Sequence, residues 1–305
     1  MKQFVYVFLD GVGLADPGEH NPFTPGRSAS SPFPFETTPS LSQLLGGPLL
    51  SGSNVNQPQL LLKPIDATLG VPGRPQSATG QTALYTGRNA PAWLGRHMTG
   101  FANGSLRVLI EESGIFKQVL DLGGKVTLAN LYAPAYFEAI AQGRLRYAVG
   151  TLLALTAGVP FRMPADLERG EAINWDITNR YLPMRGVDVP PIEPQTAGRR
   201  LANLARNYNL TLFECFLPDF AGHSQDITQA REVLAIIDSF LAALFEALDP
   251  DTTVVVSSDH GNIEDLSRKT HTLNPVPLLV KGPDAPAFAH IENIAQITPT
   301  IVSLL

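Results

Sequence analysis

A single cysteine, Cys215, stands in a chain of 305 residues. An internal disulfide and a cysteine-based zinc site are therefore excluded, since each needs more than one thiol. One cysteine also fits a reducing compartment. Charge is sparse: 16% of residues are charged against 44% hydrophobic, a balance that excludes disorder. Basic residues never gather. No grouping is longer than a pair such as Arg268-Lys269, the net charge is −6 and the pI is about 5.5. Without a basic stripe, nucleic acid is not an expected partner. Long apolar runs are missing too. The nearest, Ala148 to Phe161, falls short of the roughly 18 residues that a bilayer requires. The run Phe4 to Leu9 is shorter than a signal-peptide core, and no small-residue cleavage site follows it. The expected setting is the cytoplasm, with no membrane partner.

Phe4 to Leu9 is a continuous run of apolar, largely β-branched and aromatic residues bounded by Asp10-Gly11. It predicts a fully buried strand of a parallel sheet. Residues 15–40 carry six prolines and predict a loop long enough to border a site. Thr38-Pro39 opens a helix that Gly46-Gly47 closes. Residues 48–76 read as irregular and 89–104 as loop. Ser77 to Tyr85 is helix, Leu106 to Leu122 one amphipathic helix, and Lys125 to Leu131 strand. Helical pieces with weak punctuation fill 134–190. Further helices are expected at Gln195 to Asn207, from Asp226 onward, and at Thr298 to Leu305. Strands are expected at Thr211 to Leu217, Thr252 to Ser257 and Val276 to Val280. This alternation predicts an α/β fold, a three-layer α/β/α sandwich with a mostly parallel central sheet. One domain over 1–305 is expected, with a small lid at about 132–190.

Ligands of such folds gather at the carboxyl ends of strands. Strand one ends in Asp10. The strand at 211–217 runs into Asp219 and His223. The strand at 252–257 ends in Asp259-His260, and His271 precedes the strand at 276. Alone, Asp10 before a glycine reads as a turn former, and His271 as a surface or satisfied core histidine. Together they are three aspartates and three of the chain's six histidines. Mixed carboxylate and imidazole ligands suit zinc or manganese, and six are too many for one tetrahedral ion and about right for two. Paired ions suit in-line displacement at phosphorus. Glu214 and Cys215, inside an apolar strand, read as core.

Several segments resemble the alkaline phosphatase superfamily, on the branch of cofactor-independent phosphoglycerate mutase and phosphopentomutase. They are Leu9 to Gly13, Thr38 to Leu41, Leu69 to Ser77 and Ser77 to Arg88 in the first third of the chain. Further on come Pro218 to His223, Ser258 to Asn262, His271 to Pro277 and Thr298 to Thr300. The resemblance implies an alkaline-phosphatase-like fold and two divalent metal ions, manganese or zinc. It assigns Asp10, Asp259, His260 and the nucleophile to one ion, and Asp219, His223 and His271 to the other. The nucleophile of the superfamily lies ten residues before the glycine of a Thr-Gly pair, which is Ser77 here. A hydroxyl at a helix N-terminus beside a metal has its alkoxide stabilised, in keeping with that role.

Departures matter as well. Gln81 stands where the mutases carry histidine. Thr79 and Gln81 replace the proline and arginine of sulfatases, and Gly80 replaces the asparagine of nucleotide pyrophosphatases. Ser77 and Asp219 are 142 residues apart, too few for the mutases' large cap. Arg88, Arg96 and His97 are candidate phosphate contacts, with Arg144, Arg146 and Arg162 behind them. The favoured reading is a two-metal phosphohydrolase, a phosphatase or phosphodiesterase, acting on a small phosphorylated substrate through a phosphoserine at Ser77. A phosphomutase and a non-catalytic metal-binding protein are the alternatives.

Overall fold

The computed structural model describes residues 1–27 and 34–305. Within the loop predicted at 15–40, residues 28–33 lie outside the described residues. The strands are β1 Gln3–Leu9, β2 Gly26–Arg27, β3 Pro34–Phe35, β4 Val55–Gln57, β5 Leu60–Ile65, β6 Val126–Leu128, β7 Leu210–Cys215, β8 Thr252–Ser257 and β9 Val276–Lys281. The helices are α1 Pro39–Leu45, α2 Ser77–Thr86, α3 Ala90–Leu94, α4 Gly104–Ser113, α5 Ile115–Asp121 and α6 Pro134–Ala141. They continue with α7 Val149–Thr156, α8 Pro164–Glu168, α9 Pro194–Ala205, α10 Leu217–Ser224, α11 Ile227–Ala247 and α12 Ile297–Leu304.

Seven strands form one sheet in the order β4-β5-β9-β8-β1-β7-β6. Pairing is parallel from β8 through β1 and β7 to β6, and antiparallel among β8, β9, β5 and β4. The sheet is thus mixed, with a parallel half that carries the strand ends of interest. β1 lies between β7 and β8 and is covered on both faces, which is why it is apolar throughout. Its side chains alternate between faces. Phe4, Tyr6 and Phe8 enter the core formed with α2, α4, α5, α7 and α12. Val5, Val7 and Leu9 enter the core formed with α1, α9, α10 and α11. These are the two flanking layers of the expected sandwich.

The region predicted as a lid divides. α7 is buried in the main core with α2 and α4. Leu131, Ala133, Leu167, Ala172, Leu182 and Val187 close a small apolar cluster of their own. No helix among the described residues is long and apolar enough to cross a membrane.

Four local expectations are corrected. Residues 48–76 hold β4 and β5. Pro64 hides β5, but it pairs across from Pro277 of β9. The ladder to β4 stops at Leu62 and the ladder to β8 at Leu279, so neither proline ring interrupts an outer partner. The expected helix over 106–122 is split by Gly114, whose Cα has no room for a side chain: a Cβ would lie 2.7 Å from the Ile110 carbonyl oxygen. The expected loop at 89–104 contains α3, capped by Asn89, whose side chain accepts from the Ala92 N–H at 3.1 Å. The strand expected over 125–131 is shortened to β6.

Candidate active site

β1, β7 and β8 end side by side, and the segments that follow them open the site. Asp10 follows β1, its N–H bonded to the Cys215 carbonyl at 2.9 Å. β7, which stops at Cys215 and not at Leu217, passes through Phe216 into α10, a helix not among those expected. Asp219 and His223 therefore stand four residues apart on one helical face. Asp259 and His260 follow β8 and are fully buried. His271 enters from the loop before β9. Ser77 is the first residue of α2.

The six expected ligands converge. His260 Nε2 lies 3.4 Å from Asp10 Oδ1 and 3.5 Å from Asp259 Oδ2. His271 Nε2 is 3.6 Å from Asp219 Oδ1, and His223 Nε2 is 3.3 Å from Asp219 Oδ2. Two three-residue groups bring their donor atoms within 4.8 Å of one another: Asp10, Asp259 and His260, and Asp219, His260 and His271. His260 is common to both, its ring stacked on that of His271 at 3.6 Å. His223 reaches the cluster through Asp219. The other nitrogens of two histidines are held by the backbone. His223 Nδ1 is 2.8 Å from the Lys269 carbonyl and His271 Nδ1 is 3.0 Å from that of Pro75. Such partners aim Nε2 at a metal. Ser77 Oγ lies 3.1 Å from His260 Nε2, at the edge of the same cluster.

The donor set fits divalent cations. Asp10 Oδ1 and Asp259 Oδ1 are buried without a hydrogen-bond partner among the described residues, an arrangement that costs free energy unless a cation takes the lone pairs. Burial, and then repulsion from Asp259 and Asp219, pushes the Asp10 carboxyl well above its ordinary range. Burial and the Asp219 charge push Asp259 up to about 8. Burial and the neighbouring His271 hold His260 well below the usual imidazole value. The two carboxyl shifts have the sign expected where anions are crowded and desolvated without their counter-charge, and the His260 shift has that of a buried imidazole beside other imidazoles.

Sequence reading missed the residue that ties the site together. Glu264 is buried between three ligand-bearing loops. Its Oε2 accepts from the Gly13 N–H at 2.9 Å and the Asn262 N–H at 2.8 Å. Its Oε1 accepts from the Thr272 hydroxyl and from Asn274 Nδ2. Asn262 in turn donates to Asp219 Oδ1 at 2.6 Å, and Gln81 Nε2 donates to Asp259 Oδ2 at 3.3 Å. The only sequence signal was position: Glu264 closes the Asp259 to Glu264 segment, with no partner visible until the fold supplies it.

The candidate phosphate contacts are not brought together. His97 packs beside the approach to Ser77, its Nε2 3.1 Å from the Val71 carbonyl. Arg96 is exposed in the same turn. Arg88 lies past the opposite end of α2, where its Nε donates to Ser113. Arg162 is buried and donates to Thr127 and Tyr208, and Arg144 donates to Gln142 on the surface.

A family profile described as the Metalloenzyme superfamily matches residues 193–305, the stretch that carries Asp219, His223, Asp259, His260 and His271. The whole fold resembles two solved phosphatases. The alkaline phosphatase of the Antarctic bacterium TAB5 aligns over 99% of this chain and 97% of its own, at 14% identity and a TM-score of 0.55. The cold-active alkaline phosphatase of a Shewanella species aligns over 99% of both chains, at 16% identity and a TM-score of 0.56. The fold is therefore alkaline-phosphatase-like. Curated proteins similar to this chain include 2,3-bisphosphoglycerate-independent phosphoglycerate mutases. That of Roseobacter denitrificans is 27% identical over 46% of this chain and 30% of its own length. That of Desulforudis audaxviator is 32% identical over 41% of this chain and 27% of its own. The chain thus spans less than a third of the length of these mutases.

Proposed function

We propose that the protein is a metal-dependent phosphohydrolase that transfers a phosphoryl group from a small phosphate ester to Ser77 and then to water. The observation that carries the reading is Ser77 itself. Its hydroxyl stands at the first position of α2 and 3.1 Å from His260 Nε2, at the edge of three converging aspartates. Asp10, Asp259 and His260 would hold one divalent ion beside Ser77, and Asp219, His223 and His271 a second. When bound, the ions supply positive charge for the phosphate oxygens and for the serine alkoxide.

The chain's own residues do the rest. α2 directs its positive N-terminus at the Ser77 oxygen and favours the alkoxide. Attack of Oγ on phosphorus forms the serine phosphoester as the ester oxygen leaves and takes up a proton. Water then breaks the new phosphorus–oxygen bond and regenerates the hydroxyl, releasing inorganic phosphate. A mutase must exclude water between its two transfers. α7, the most apolar helix of the region expected to form a lid, is fixed in the core instead of poised above Ser77. This supports hydrolysis.

Phosphomutase activity is the second reading, favoured by the names of the relatives. The test is incubation of the manganese- or zinc-loaded protein with glycerol 3-phosphate, nucleoside monophosphates and phosphoglycerates. Release of inorganic phosphate is expected. Isomer interconversion with little free phosphate overturns the choice.

A further inference from the structure

The structure places an aromatic wedge on the ligand-bearing helix itself. α10 turns by about 100° per residue. Phe216, Asp219, Phe220 and His223 therefore fall within one sector of roughly 100° on its surface. Phe220 follows the ligand Asp219 directly and is 60% exposed. Its ring lies 5.5 Å from that of Trp175, and Trp175 stacks on Tyr181 at 5.3 Å and 24°. Tyr181 is also exposed, at 39%. The Arg185 guanidinium lies 5.1 Å over the Trp175 ring and brings a cation to the patch. Two open aromatic faces thus stand beside the metal cluster, with Trp175 as the wall between them.

The loop that supplies the wall is built to hold it. Ile177 and Asn179 adopt φ of +67° and +64°, a region costly for a β-branched residue. Strain of this kind persists only where the surroundings over-determine it, and it concentrates at functional sites. Here the buried Asp176 does so. Its carboxylate accepts from Asn174 Nδ2 at 2.6 Å, the Asn179 N–H at 2.9 Å and the Tyr181 N–H at 2.8 Å. The side chain of Trp175 is fixed before any ligand arrives, so stacking against the wedge costs little ordering entropy.

Resting on the phosphohydrolase reading, we infer that the substrate is a phosphomonoester whose leaving group carries a planar ring, a nucleobase or an aryl group. With the phosphate at Ser77, the ring stacks on the exposed face of Phe220, which Trp175 backs, and Arg185 favours electron-rich or anionic rings. Phe220 is the specificity-determining residue in this account, and Tyr181 supports Trp175 from its other side.

The experiment compares adenosine 5′-monophosphate with glycerol 3-phosphate, since both lose a primary alcohol and only the nucleotide carries a planar ring. The metal-loaded wild type should favour the nucleotide in kcat/KM. In Phe220→Ala that preference should fall on the order of tenfold, through KM, as expected for loss of a stacked base, and in Tyr181→Ala it should fall by less. A wild type without preference, or variants whose preference is unchanged, overturns the inference while turnover of glycerol phosphate keeps the hydrolase reading intact. A Trp93→Phe background, with Trp175 the remaining tryptophan, supplies a second readout. Saturable quenching of Trp175 by adenosine monophosphate, lost in Phe220→Ala, supports the wedge even where no ester is hydrolysed. Absence of quenching in an otherwise folded protein overturns it.

Discussion

Gly80 is pressed against Asp259: a Cβ on Gly80 would stand 2.8 Å from the Asp259 Cβ and 2.9 Å from its carbonyl oxygen. The contact fixes α2 one turn past Ser77 onto the loop that carries two expected metal ligands. It also explains why this position holds no side chain.

Gly80→Ala should therefore push the first turn of α2 away from β8. Overpacking of this kind costs about 1–3 kcal/mol, which a chain of this size can survive. The displaced nucleophile should lower kcat/KM by about a hundredfold. Circular dichroism should show a retained fold and steady-state kinetics the loss. Wild-type kcat/KM in this variant would detach the packing from the chemistry.

Ser77→Ala should abolish phosphate release while leaving two-ion binding largely in place, because six further ligands remain. Mass spectrometry of acid-quenched wild type should find one added phosphate on the peptide containing Ser77. Thr79 is the nearest alternative hydroxyl, yet it is buried and donates to the Gln76 carbonyl. Turnover by Ser77→Ala would move the nucleophile elsewhere.

Much of this site was legible before the fold. Asp10 and Asp259-His260 sit where an apolar run stops, a signal that survives because β1 and β8 are buried on both faces. Asp219 and His223 come together for a reason the sequence hides, since the helix joining them has only eight residues, with Pro218 in its first turn. β5 was lost to Pro64. Glu264 was invisible because its four donors come from Gly13, Asn262, Thr272 and Asn274, and only tertiary closure brings the first of these to the others. Phe220, Trp175 and Tyr181 are separated in sequence, and only the fold brings their rings together.

Glu264→Gln tests that closure. The amide end turns one acceptor oxygen into a donor and sets it against N–H or O–H groups that have no other partner. Supporting residues of this kind typically contribute 10–100-fold to metal affinity. Isothermal titration with manganese should show a loss of that size, alongside a lowered melting temperature. Unaltered affinity in the folded variant would reduce Glu264 to a local loop anchor.

The last prediction concerns pH and rests on the buried carboxylates. Asp259 titrates at about 8 in the folded metal-free protein, against 3.8 for an ordinary aspartate. Between those values the folded state holds a proton that the unfolded chain has released. Stability must then fall as pH rises across this window. Asp10 shifts in the same direction. His260 shifts the opposite way, and its contribution grows with pH only up to its ordinary value near 6.5. Above that, the carboxylates alone set the slope. The chelator-treated protein should therefore lose melting temperature between pH 6.5 and 8. Manganese or zinc should restore it by an increment that grows with pH, since the ions replace the missing protons. Asp259→Asn separates the two effects. It removes the buried charge, so at pH 8 the metal-free variant should melt higher than the metal-free wild type. The same change deletes a ligand, so added metal should raise its melting temperature far less, and activity should fall by orders of magnitude. Thermal scans of both proteins at pH 6.5 and 8, with and without metal, decide it. A metal-free wild type as stable at pH 8 as at pH 6.5 would mean that these carboxylates already have a counter-charge from the protein itself.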